Sequence, residues 1–109
     1  MLEIKQTDVF SEWLRALRDR AAKNRIDARI SRLADGNAGQ SRSVGGGVSE
    51  LKIDCGPGYR VYFTRRGLTL ILLLCGGDKS TQGRDIKLAQ KLAQEWIEDE
   101  NDGAQDDSV

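Results

Sequence analysis

The feature that most restricts how this chain can fold is the run Leu68-Thr-Leu-Ile-Leu-Leu-Leu-Cys75, bounded by Arg65-Arg66-Gly67 on one side and Gly76-Gly77 on the other. Successive residues of a strand point to opposite faces, so a run apolar on both faces reads as a central strand of a sheet. It falls well short of the roughly 18 uninterrupted apolar residues that a membrane span needs, and no other stretch approaches that length. The rest of the chain must supply the neighbours of this strand and cover its apolar side chains.

Two further strand signals precede it. Val48-Ser-Glu-Leu-Lys-Ile alternates, with Val48 and, after a change of phase, Leu51 and Ile53 expected toward the core, and with Glu50, Lys52 and Asp54 expected to point away. Cys55-Gly-Pro-Gly is a turn, because Pro57 fixes φ and the glycine after it tolerates φ > 0. Residues 59–64 then place Tyr59, Val61 and Phe63 on one face and Arg60, Tyr62 and Thr64 on the other. A meander of three antiparallel strands follows.

Ahead of the meander, residues 2–6 read as a short strand. Thr7 or Asp8 offers an N-cap for a helix whose Phe10, Trp13, Leu14 and Leu17 share one stripe. A second helix presents Ala22, Ile26, Ile30 and Leu33 together and stops at Gly36. Two amphipathic helices need a sheet to bury against, so a helical hairpin on one face is expected. Residues 37–47 are polar and glycine-rich, and Gly45-Gly46-Gly47 is read as permitting a bend or close approach rather than as a phosphate loop. Past Gly76-Gly77, Ser80 or Thr81 can cap a final helix carrying Ile86, Ala89, Leu92 or Ala93, and Trp96. The fold class is therefore α+β. Residues 1–98 form one domain, and residues 99–109 an acidic tail expected to be disordered.

Charge and composition narrow the chemistry. The 17 basic and 17 acidic residues cancel, but every Lys and Arg lies at or before Lys91, where only 10 acids occur. The body is thus strongly cationic, which suits a polyanionic partner. There is no histidine, which removes the commonest neutral-pH general base and every Ser-His or Cys-His pair. Cys55 and Cys75 have neither metal-ligand spacing nor a histidine partner, so two reduced thiols are expected. The charged start Met1-Leu-Glu-Ile-Lys has no apolar signal core, and a cytoplasmic location is expected. No cofactor is implied. Asp54, Asp78 and Asp85 could gather around a magnesium ion, although each sits at a plausible turn or cap.

The segments Gly47-Val-Ser-Glu-Leu-Lys-Ile, Gly56-Pro-Gly-Tyr-Arg-Val-Tyr-Phe and Leu72-Leu-Leu-Cys-Gly-Gly-Asp-Lys-Ser-Thr-Gln, in that order behind a helical hairpin, resemble the RelE/ParE-superfamily toxins. The likeness is to the HigB-type or phage-like branch of addiction-module killer proteins and covers roughly residues 1–97. It implies a RelE/ParE-like fold and a type II toxin–antitoxin toxin. Many members of the superfamily are endoribonucleases, mRNA interferases that cleave messenger RNA on the ribosome and so inhibit translation. The implied partners are mRNA, the ribosome and a cognate antitoxin, in this branch a small helix-turn-helix protein through which operator DNA is reached. ParE members instead inhibit DNA gyrase, so the superfamily alone does not fix the target.

Cleavage by a 2′-hydroxyl needs proton removal, stabilisation of a charged phosphorane and protonation of the leaving oxygen. Without histidine, this sequence best supplies the second. Lys52 and Arg60 project from neighbouring strands onto the polar face, and Lys79 comes from the loop after the apolar strand. Arg60 is assigned to phosphate, and Lys52 and Lys79 to further charge stabilisation or proton transfer. Glu50 is a candidate general base, or else an ion-pair partner that holds Lys52 or Arg60. Tyr62 and Arg65 are candidate RNA contacts, with Tyr62 or Tyr59 available to stack a base and Tyr59 expected to pack inward.

Overall fold

The computed structural model describes the backbone of residues 2–107 and the side chains of residues 2–96. The chain runs β1 (Glu3–Gln6), α1 (Asp8–Ala16), α2 (Arg20–Ala34), β2 (Ser41–Gly45), β3 (Val48–Ile53), β4 (Tyr59–Arg66), β5 (Leu70–Gly77), a 3-10 turn (Lys79–Thr81) and α3 (Gln82–Asp107). The five strands form one mixed sheet in the order β1-β5-β4-β3-β2, in which β1 lies parallel to β5 and every other pair is antiparallel. This is the expected α+β class with two additions to the meander. The boundary expected at residue 98 and the tail 99–109 lie outside the residues whose side chains are described. No helix among the described residues is long and apolar enough to cross a membrane.

The first addition is β1, which continues the sheet beyond β5. The second is β2, inside the stretch read as an irregular, glycine-rich loop. Its sequence Ser-Arg-Ser-Val-Gly has one apolar residue, so no alternation announces it. Polar composition is what an edge strand carries when only one side of its backbone is paired. Gly46 and Gly47, with φ of 64° and 77°, make the tight turn between β2 and β3. Positive φ at both central turn residues matches the twist of paired strands, which is why glycines stand there.

Both faces of the sheet are covered. On one, Phe10 of α1 and Ala22, Ile26 and Leu33 of α2 are buried, as their spacing predicts. Phe10, Ile26 and Leu33 cluster with Leu51, Ile53, Val61, Phe63, Ile71 and Leu73. Thr7 caps α1, its hydroxyl accepting from the Phe10 amide, and Asp19 caps α2. On the other face α3 buries Ala89 and Ala93 against Val48, Tyr62, Leu72, Leu74 and Cys75. Val48 therefore belongs to the second face, with Glu50 on the same side. The change of phase expected in β3 does not occur: the strand alternates regularly, and two apolar layers rather than one receive its side chains.

A bulge in β5 sets the position of α3. Tyr62 pairs with Cys75 and Phe63 with Leu73, which leaves Leu74 as the extra residue. Leu74 and Cys75 consequently both face α3, and the alternation beyond them is inverted. Gly76 now lies under the Trp13 ring and Gly77 under the Asp85 carboxylate, where an added Cβ would stand 2.3 Å and 1.8 Å from those groups. Asp78, rather than Ser80 or Thr81, caps the turn that leads into α3. Its carboxylate accepts from the Ser80 amide, while Thr81 closes the reciprocal half of the box.

Replacing Gly76 by Ala forces a methyl into the Trp13 ring and is expected to destabilise the fold by about 1–3 kcal/mol or more. Urea unfolding monitored by tryptophan fluorescence measures this, and an unchanged midpoint would show that α1 does not pack on β5 in this way.

Candidate functional site

At the end of the sheet away from the β2–β3 turn, the α3 face is not fully covered. An open cleft of about 450 Å³ remains there, lined by Gln40, Ser41, Arg42, Glu50, Lys52, Arg60 and Gln82. Strand register assembles it. Arg42, Glu50 and Tyr62 lie side by side across β2, β3 and β4, and Lys52 stands directly opposite Arg60 in the next row. Like charges facing each other across strands repel, and Glu50 offsets that repulsion.

Glu50 is the hub. Only 4% of it is exposed, yet its carboxylate has partners on four sides. Oε1 accepts from Arg42 Nε at 3.0 Å. Oε2 accepts from Tyr62 Oη at 3.1 Å and from Gln82 Nε2 at 2.8 Å, and Arg60 Nε stands 3.7 Å from it. Burial pushes the carboxyl pKa up, but the hydrogen bonds from Gln82, Arg42 and Tyr62, together with the Arg42 charge, outweigh burial and hold it below its ordinary value. Glu50 is thus a charged anchor. Three hydrogen bonds engage its oxygens, so of the two roles expected for it, the contacts fit the ion-pair partner. The cations it holds are Arg42 and Arg60 rather than Lys52.

Arg60 is 7% exposed and is fixed from two directions, Nη1 donating to the Gly58 carbonyl at 2.5 Å and Nε facing Glu50. Its buried Nε has no hydrogen-bond acceptor. Lys52 is exposed, lines the cleft, and its ammonium has no ion-pair or hydrogen-bond partner among the described residues. Three cations and one carboxylate thus line the opening, an excess of two positive charges. That arrangement can hold an anion with two or more acceptor oxygens, and it can stabilise negative charge that develops there.

The other expected site residues are placed as follows. Lys79 lies in the exposed 3-10 turn, its Cβ 3.7 Å from the point where a Cβ on Gly58 would stand, so it borders the Arg60 end without lining the cleft. Tyr62 has no exposed surface. Its hydroxyl is spent on Glu50, and burial followed by the Glu50 charge and hydrogen bond raises its pKa, so it cannot stack a base from this position. Arg65 falls on the opposite face: it is odd-numbered in β4 like Val61 and Phe63, and it borders a cavity with Leu2, Leu33 and Phe63. Tyr59 packs inward against Trp13. Cys75 is buried, its pKa pushed to about 12 by burial and by the Asp85 charge. Asp54 lies beside α2, Asp78 caps the 3-10 turn and Asp85 accepts from Thr81, so the three carboxylates serve separate places.

Arg42 and Gln82 are site residues that the sequence reading did not select. Gln82 closes the segment Asp-Lys-Ser-Thr-Gln, so its place was within the motif. Arg42 could be found only by pairing β2 with β3.

The chain is 53% identical over 94 residues to a protein of Haemophilus influenzae (strain ATCC 51907 / DSM 11121 / KW20 / Rd) described as "Uncharacterized protein", a match covering 86% of this chain and 95% of that one. It belongs to the same family as that protein. No family model matches the chain, and no solved structure does.

Because the folded-state pKa of Glu50 is lowered, its charge contributes stability that is present above the unfolded value of 4.5 and is lost as pH falls through the folded value. Replacing Glu50 by Gln is expected to cost about 1–3 kcal/mol at neutral pH. The gap from wild type should narrow as pH falls below about 4.5 and on through the lowered folded value. Denaturation midpoints across that range check it, and a gap independent of pH would remove Glu50 as the charged hub.

Proposed function

We propose that this protein is the toxin of a type II toxin–antitoxin pair with a RelE/ParE-like fold, an endoribonuclease that cleaves mRNA on the ribosome and is neutralised by a cognate antitoxin. The observation that carries the reading is the cleft itself: Lys52 without a partner, Arg60 pinned by Glu50 and the Gly58 carbonyl, and Arg42 at the rim. A scissile phosphate placed there would face two guanidinium groups and an ammonium, the groups best suited to the equatorial oxygens of a phosphorane. The order strand, helical hairpin, four antiparallel strands and C-terminal helix also agrees with the architecture that the sequence resemblance implies.

The division of labour follows from the geometry. Arg60 is held rigidly and orients the phosphate, while Lys52, whose ammonium is unpaired, adds charge without reorganising the fold. Arg42 shares its guanidinium between Glu50 and the opening, its side chain being 63% exposed. Glu50 and Gln82 position these groups. Proton removal and leaving-group protonation then fall to the substrate and the ribosome, or to Lys52.

Expression of the wild-type protein is expected to arrest growth with cleaved transcripts, and Lys52→Ala to lower cleavage about 10²–10³-fold with unchanged folding. Transcript ends mapped after induction decide the matter. Arrest with intact transcripts would overturn the nuclease reading, and arrest with DNA damage would point to gyrase.

A further inference from the structure

β2 is shorter than β3 at the cleft end. Ser41 pairs with Leu51, and beyond that pair β3 keeps β4 on one side but has no strand on its β2 side. The Lys52 amide donates to the Gln40 carbonyl. The next acceptors on that edge are served by side chains of α2: Arg29 Nη1 donates to the Lys52 carbonyl at 2.8 Å and Arg25 Nη1 to the Asp54 carbonyl at 3.3 Å. Helix arginines thus take the place of a missing strand and satisfy an edge that would otherwise be open.

These arginines border a second opening, of about 320 Å³, lined by Arg25, Ala28, Arg29, Arg32, Ile53 and Asp54. Arg25, Arg29 and Arg32 recur at the spacing that keeps them on one side of α2, and only Asp54 opposes them there. No salt bridge engages any of the three among the described residues, and Arg29 Nη2 is buried without an acceptor. The two openings meet at one residue. Lys52 sends its side chain into the first and receives Arg29 from the second on its carbonyl, and Asp54 lies only about 7 Å further along the strand.

We propose that a single-stranded nucleic acid bound in the first cleft continues around the open end of β3 into the groove of Arg25, Arg29 and Arg32. The protein would then grip several consecutive phosphates rather than one. This rests on the nucleic-acid reading of the first cleft and adds a second site to it. Arg25 and Arg29 are both donors to the β3 edge and walls of the groove, whereas the Arg32 side chain makes no hydrogen bond or ion pair among the described residues.

The test uses 2′-O-methyl RNA, which cannot be cleaved by its own 2′-hydroxyl, as a dinucleotide and as an octanucleotide, with binding followed by fluorescence anisotropy at several salt concentrations. In wild type the octamer is expected to bind more tightly than the dinucleotide. The double variant R25A/R32A should weaken the octamer about tenfold at low salt and flatten its log–log salt slope by about 1.4, two lost phosphate contacts on a single strand, while leaving the dinucleotide unchanged. Should the double variant fail to fold, R32E alone is expected to weaken the octamer and flatten its slope by about 0.7, one lost contact, again leaving the dinucleotide unchanged. An octamer unaffected in affinity and slope would overturn the second site and leave the first standing. Equal loss for both probes would assign the arginines to the first cleft or to the fold and overturn the inference equally. No binding of either probe to wild type would overturn the nucleic-acid reading itself.

Discussion

A buried carboxylate sits where three elements meet, and the arrangement of the cleft depends on it. Glu50 receives Arg42 from β2, Tyr62 and Arg60 from β4, and Gln82 from the start of α3. A charge that deeply enclosed is costly unless its lone pairs are filled. Filling them ties the edge strand, the central hairpin and the last helix to one point. The same bonds that keep Glu50 ionised hold Arg60 and Arg42 at the cleft wall, so the anchor of the fold and the scaffold of the site are one network.

The placement of α3 is the second condition. The extra residue Leu74 inverts the alternation of β5, so that Gly76 and Gly77 lie beneath Trp13 and Asp85. Only residues without a Cβ admit both groups at those distances. With Asp85 seated on Gly77 and Thr81 bonded to it, Gln82 begins α3 within reach of Glu50. The helix then crosses the sheet, where the Gln90 amide donates to the Val44 carbonyl of β2 and Trp96 lies near Lys5 of β1. The cleft is what α3 leaves uncovered at its starting end.

Much of this was legible in residue spacing. The stripes of α1 and α2, the faces of β4 and the apolar run of β5 follow directly from periods of 3.6 and 2. Lys52, Glu50 and Arg60 were also legible as neighbours, because a tight hairpin fixes which residues stand together. What was not legible depends on pairing across longer distances. β2 has almost no apolar pattern, so Arg42 could not be placed beside Glu50. Tyr62 looked like an exposed aromatic on a polar face because nothing in β4 alone shows that α3 buries that face. Arg65 lies close to Arg60 in sequence but on the other side of the sheet, a separation that the period of 2 already contained. The bulge at Leu74, which moves two glycines and the start of a helix, leaves no local signature.

The central claim is that the opening around Glu50 holds phosphate. Backbone amide chemical shifts followed during titration with an inert ligand, inorganic phosphate, test it most directly. Shifts confined to the amides of residues 40–42, 50–52 and 60, saturating together, are the predicted result. Shifts spread over the cationic surface without saturation, or absent from these residues, would contradict it.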